Sequence, residues 1–194
     1  VNKELRRGIL GDCWEYDIRS SVVSWKMTFA QELTDELYPT KECRKQFWAS
    51  IWYLEARSEF MLDVRTATFG RKSGLDVEFQ DSLIKQAVTA ISFGARANVN
   101  GWRAKDGTWT STALGDILKN TRQRQCFLEN HTIFCFIKEQ VMLDSYLADG
   151  MKKDLPEVYY GPLITASIRP SKAKAVAYLY QKSETIVMDV ARNV

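Results

Sequence analysis

"KECRKQFWASIWYLEARSEFMLDVR", Lys41 to Arg65, limits what this chain can become more than any other stretch. Phe47, Trp48, Ile51, Trp52, Leu54, Phe60, Met61 and Leu62 supply a broad apolar face with charges between them, so the stretch predicts a long amphipathic helix that must find a core. Thr40 is placed to cap it. "FGRKSG" then breaks the chain with two glycines. "DVEFQDSLIKQAVTAISFGARAN" resumes as a helix, with Leu83, Ile84, Ala87, Val88 and Ile91 at helical spacing. "STALGDILKNTRQRQ" and "TIFCFIKEQVMLDSYLADGM" predict further helical tracts. So does "VVSWKMTFAQELTDEL", with Ser20 and Ser21 as N-caps and Pro39 as its end.

Strand signals are fewer. "CWEYDI" alternates, Trp14, Tyr16 and Ile18 facing one way and Glu15, Asp17 and Arg19 the other. "NVNGWRAKDGTWT" predicts a β-hairpin from its Asn-Gly and Asp-Gly pairs. "AVAYLYQKSETIVMDV" reads as two short strands around a polar turn at Gln181 to Glu184. The sum is an α+β fold, mainly helical with a small antiparallel sheet, in a single domain over residues 1–194. An apolar fraction of 45% is enough to fill its core.

Composition excludes several function classes. A net charge of +3 is far from the basic excess of a nucleic-acid packaging protein. The four cysteines form no CxxC pair and the only histidine is His131, so zinc-ligand spacing is absent. Unpatterned cysteines read as reduced, mostly buried thiols of an intracellular, cytoplasmic protein. No P-loop and no GxSxG is present, and no apolar run approaches the roughly 18 to 20 residues that span a bilayer. His131, beside "IFCFIK", reads as a packed or helix-end residue. Carboxylates, lysines and arginines remain for chemistry.

Asp17 closes the first strand, and Glu184 stands in the turn expected near the chain end. If that strand pairs beside the terminal hairpin, the two carboxylates meet at one sheet edge. Held close, they repel unless a cation neutralises them, which makes the pair a natural Mg²⁺ site.

Three segments carry a family resemblance. "YDIRSS" with Val22-Val23-Ser24 has the form D-x-x-S-x-x-x-S and resembles the first palm motif of family B nucleic-acid polymerases. "KQAVTAISFG", Lys85 to Gly94, resembles the fingers-helix motif of family A: a lysine, seven residues, then an aromatic-glycine pair. "QKSETIVMDV", Gln181 to Val190, lies along a family A third motif of the type Q-x-H-D-E-L-V-F-E-V. Glu184 stands at that motif's aspartate, Ser183 at its histidine, and Asp81 where the fingers motif has an arginine. The resemblance implies a palm-like domain with a helical fingers-like insertion over residues 40–150. It implies template-dependent nucleotidyl transfer on a primer–template from nucleoside triphosphates, with two Mg²⁺ ions. By the same resemblance Asp17 and Glu184 hold metal, Lys85 contacts the phosphates, Phe93 stacks, Gly94 lets substrate approach and Ser20 lies beside the triphosphate. Further polymerase domains or subunits would be its partners.

Basic tracts offer phosphate contacts independently: Arg71 and Lys72, then Lys119, Arg122 and Arg124, then Arg169, Lys172 and Lys174, with Trp102 and Trp109 as stacking surfaces. They support a second reading, a nucleic-acid-binding module without catalysis. The aromatic helix Phe47 to Leu62 supports a third, a helical protein–protein interaction domain.

Overall fold

Buried side chains along residues 77–92 fall at Gln80, Ile84, Ala87, Val88 and Ile91, the spacing of a helix with one face inside. Asp76 starts this helix by accepting the amides of Glu78 at 2.9 Å and Phe79 at 3.3 Å. Gly94 ends it at φ +79°, a left-handed conformation that glycine adopts without strain. The Gly94 amide bonds the Ile91 carbonyl at 2.8 Å and the Ala95 amide bonds the Ala90 carbonyl at 2.9 Å, which satisfies two of the carbonyls of the last turn.

The computed structural model describes residues 21–34, 41–70, 73–104, 106–166 and 169–192. In chain order the helices are α1 (Ser21–Phe29), α2 (Gln31–Thr34), α3 (Lys41–Gln46), α4 (Trp48–Glu55), α5 (Arg57–Phe69) and α6 (Val77–Ser92). The strands β1 (Trp102–Arg103) and β2 (Trp109–Thr110) follow, then α7 (Ala113–Ile117), α8 (Thr121–Glu129), α9 (His131–Asp154) and α10 (Pro156–Tyr159). A second pair, β3 (Thr165–Ala166) and β4 (Arg169–Pro170), precedes α11 (Lys172–Arg192). The coarse expectation of a mainly helical fold with small antiparallel pieces holds.

The long helix expected from Lys41 to Arg65 is three. Glu139 of α9 accepts the amides of Ala49 at 3.0 Å and Ser50 at 2.7 Å, so those donors leave the helical ladder at Phe47 and α4 begins afresh. A second bend at Ala56 lets Tyr53 and Phe60 both reach Phe136, with ring centroids 5.1 to 5.8 Å apart. The tract "STALGDILKNTRQRQ" also divides, because Asn120 caps α8 through the amides of Arg122 and Gln123.

The hairpin at 102–110 forms as expected. Trp102 pairs with Thr110 and Arg103 with Trp109, and Gly107 turns the chain at φ +85°. The terminal hairpin does not form. Residues 172–192 are one helix, with Ala175, Val176 and Tyr180 buried along one side. Ser171 begins it by accepting the Ala175 amide through its carbonyl at 3.0 Å. Ser183 and Thr185 return their hydroxyls to the carbonyls four residues back, as they do inside a helix. The strand-like "CWEYDI", the capping residues Ser20 and Thr40, and Pro39 lie outside the described residues.

α9 is the spine. Ile133 and Phe136 enter a first core with α4, α5, α6 and α8, Leu143 and Leu147 a second with α1, α3 and α11, and Ala148 and Met151 a third with Tyr159 and Ile164. His131 is its first residue, at the helix end as expected, and though exposed it stacks on Trp48 at 5.8 Å.

Candidate functional site

With Ile84, Ala87, Val88 and Ile91 committed to the core, α6 turns its other side to an open cleft of about 1260 Å³. Asp81, Lys85, Thr89 and Phe93 line it at four-residue intervals. Met61 and Arg65 of α5 form the facing wall, Val22 and Val23 of α1 part of the floor, and Tyr180 and Glu184 of α11 one end.

The charges along this wall are unequal in what they have left to offer. Arg65 Nη1 donates to both oxygens of Asp81 at 2.9 Å, so that pair is closed. Arg57 lies over the Tyr53 ring, 5.3 Å from its centroid. Lys85 is exposed and has no carboxylate within ion-pair distance among the described residues. Phe93 is 40% exposed, and its ring meets the edge of Tyr180 at 5.7 Å. Tyr180 in turn meets Trp25 at 5.5 Å and donates its hydroxyl to Glu184 Oε1 at 2.6 Å. The cleft therefore runs from an available ammonium at Lys85 to a half-open aromatic at Phe93.

Beneath the Phe93 end sits a buried cation. Lys26, 0% exposed, pairs with Asp144 Oδ1 at 2.5 Å and donates to Gln140 Oε1 at 3.2 Å and to the Ser92 carbonyl. Gln140 passes the chain on, donating to Ser50 Oγ at 3.1 Å. Burial pulls the Lys26 ammonium below its usual range and lifts the Asp144 carboxyl above its own, each partly offset by the other's charge. Sequence reading passed over Lys26. The signal was present, since Val22, Val23, Lys26, Met27 and Ala30 share one helical face, and a lysine among them has to be buried with a partner.

Of the residues singled out from sequence, the structure brings Lys85, Phe93 and Glu184 to this one cleft. Glu184 arrives on a helix and not in a strand turn. Gly94 does not line the cleft: an added Cβ there would lie 2.8 Å from the Ala173 Cβ, so its small size serves the packing of α11 against α6. Arg124 is spent inside the fold, donating to Val99 O at 2.8 Å, Leu118 O at 2.5 Å, Lys119 O at 2.9 Å and Thr121 Oγ1 at 3.0 Å, so it is not the phosphate contact expected of it. Lys119 and Arg122 are exposed, away from the cleft wall. Lys172 donates to Ser145 Oγ at 3.1 Å, and Lys174 is exposed. Asp17, Ser20, Arg71 and Lys72 lie outside the described residues.

The cleft carboxylates do not by themselves fit a Mg²⁺ centre. Three carboxylates line the cleft, Glu78, Asp81 and Glu184; Asp81 is held by Arg65 and Glu184 by Tyr180, and no group of three or more His, Cys, Asp or Glu side chains able to hold a metal occurs among the described residues. Cys43 is buried, and Cys126 and Cys135 are half-buried. No described helix is long and apolar enough to cross a membrane.

No protein-family model, curated protein or solved structure matches this chain.

Proposed function

We propose that the cleft binds a nucleoside triphosphate and that the chain is the palm-and-fingers-like part of a template-dependent nucleotidyl-transfer enzyme. One observation carries the reading. α6 lines the cleft with Lys85, Thr89 and Phe93 on successive turns, a cation without a carboxylate at one end and a half-exposed aromatic at the other. Eight residues of helix separate the two, roughly 12 Å of axial rise. That separation suits a triphosphate held by the ammonium and a base laid on the ring, with Thr89 opposite the sugar. The fingers-type segment Lys85 to Gly94 supports the same reading. The third segment, 181–190, lends none, because its likeness rested on a turn that is helix. Mg²⁺ enters the proposal only with Asp17, whose carboxylate would have to join Glu184, and none of the roles above is routed through it.

Isothermal titration with a set of nucleotides tests the cleft. Lys85→Ala should weaken a triphosphate by about tenfold or more, consistent with one charge-assisted contact of about 1.5–3 kcal/mol, while leaving the unphosphorylated nucleoside unchanged. Phe93→Ala should weaken both alike, and Phe93→Tyr should restore them. A triphosphate bound equally by the parent and the Lys85 variant ends the proposal. Its catalytic half is tested by primer extension in Mg²⁺, where an Asp17→Ala protein as active as the parent would sink it.

A further inference from the structure

Thirty residues, 95–124, hold six basic and two acidic side chains, an excess of four in a chain whose whole net charge is +3. The fold ties the loop at the start of this segment to the turn near its end. The Arg124 guanidinium bonds Val99 O on one side and Leu118 O and Lys119 O on the other, so the loop after α6 and the turn between α7 and α8 are pinned together. Arg96, Arg103, Lys119 and Arg122 are exposed, and none has a carboxylate within ion-pair distance among the described residues. The two acidic groups are engaged locally: Asp106 accepts the amide and hydroxyl of Thr108, and Asp116 accepts the Ser111 hydroxyl at 2.8 Å.

Two tryptophans stand among these cations. Arg96 lies over the Trp102 ring, 4.0 Å from its centroid. Trp109 is 68% exposed, and its ring meets no other aromatic ring and no cation among the described residues. Trp109 and Arg103 are cross-strand partners in the hairpin, so their side chains leave the same face, the Arg103 guanidinium turning to the Gly107 carbonyl at 3.1 Å. The hairpin thus offers an exposed indole with an exposed arginine on the same face.

We propose that the β1–β2 hairpin, with Lys119 and Arg122, is a docking surface for an unpaired nucleic-acid strand. The charge matches a phosphate backbone, and the indole matches a base face. A base inside a duplex keeps its faces stacked and cannot lie on Trp109, so the partner is single-stranded. The surface stands whether or not the cleft takes a nucleotide.

Fluorescence anisotropy of the full chain with a labelled 20-nucleotide oligothymidine and with a 20-base-pair duplex tests this. The single strand should bind more tightly. Trp109→Ala should weaken it about 5- to 100-fold, the range for losing one stacked base, and Trp109→Phe should retain most of the affinity. A Lys119→Ala/Arg122→Ala protein should lower the slope of log K against log salt by about 1.4, two phosphate contacts at about 0.7 each. The probe carries no triphosphate, so this outcome is separate from that of the cleft titrations. Equal binding by the Trp109→Ala protein, duplex bound as tightly as single strand, or Trp109-dependent binding to vesicles with one-fifth anionic lipid would each overturn the proposal.

Discussion

Glu139 is almost fully buried, and both of its carboxylate oxygens face amides that α4 cannot satisfy within its own first turn. Burial lifts its carboxyl above the usual range, against the opposing pull of Ser50 and Ala49. The sign for stability follows from that direction. The folded protein keeps the proton to higher pH than the unfolded chain does, so the contribution is complete below the unfolded value of about 4.3 and is lost as pH rises through the folded one. Glu139→Gln removes this titration. Urea midpoints across pH 4 to 7 should show the parent losing stability relative to the variant as pH rises, and a difference that stays constant with pH would refute it. Residue-scale roles of this kind were partly readable. Lys85 and Phe93 were singled out by the fingers-type segment, and the helical period then puts both on the cleft side of α6. Arg124 was misread because nothing local says that its guanidinium ends a helix and ties down a loop 25 residues away.

Gly94 shows how an element depends on its neighbour. Its φ of +79° closes α6, and its missing side chain lets α11 approach at Ala173. Gly94→Ala should therefore cost about 1–2 kcal/mol for the dihedral alone, with a further loss from the 2.8 Å contact, read as a lowered urea midpoint. Adding Ala173→Gly should recover the contact share and leave the dihedral share. Full recovery, or none, would contradict this division. The elements themselves were legible where the apolar period was clear, as in α6 and α9, and the structure adds their caps, Asp76 and Asn130. They were illegible where tertiary partners intervene. The breaks at Phe47 and Ala56 answer to Glu139 and Phe136, some 80 to 90 residues away. α11 was read as a hairpin because "AVAYLYQ" is compatible with either period, and the Ser171 start signal was missed.

Across the whole molecule, Lys26 is the point at which α1, α6 and α9 meet. Its ammonium touches the last carbonyl of α6, Gln140 and Asp144, between the first core and the second. Lys26→Met would leave Asp144 buried without its cation, at a cost of about 3–5 kcal/mol. A Lys26→Met/Asp144→Leu protein, with both charges gone, should recover most of that in thermal or urea unfolding. A Lys26→Met protein as stable as the parent would show that the pair contributes nothing. The network also bounds the cleft, since it anchors α6 one residue before Phe93.

The sequence alone settled the helical character of the chain, the hairpin at 102–110 and the apolar face of α6 at Ile84, Ala87, Val88 and Ile91. Each of these depends on chemistry within a dozen or so residues: a hydrophobic period, a cap, a glycine turn. Only the tertiary structure decided that Glu184 comes to the cleft on a helix, that Arg124 is a clamp, that Lys26 is inside, and that Trp109 stays exposed on the hairpin. Those depend on which distant groups satisfy a buried donor or charge, and a one-dimensional pattern does not contain that pairing.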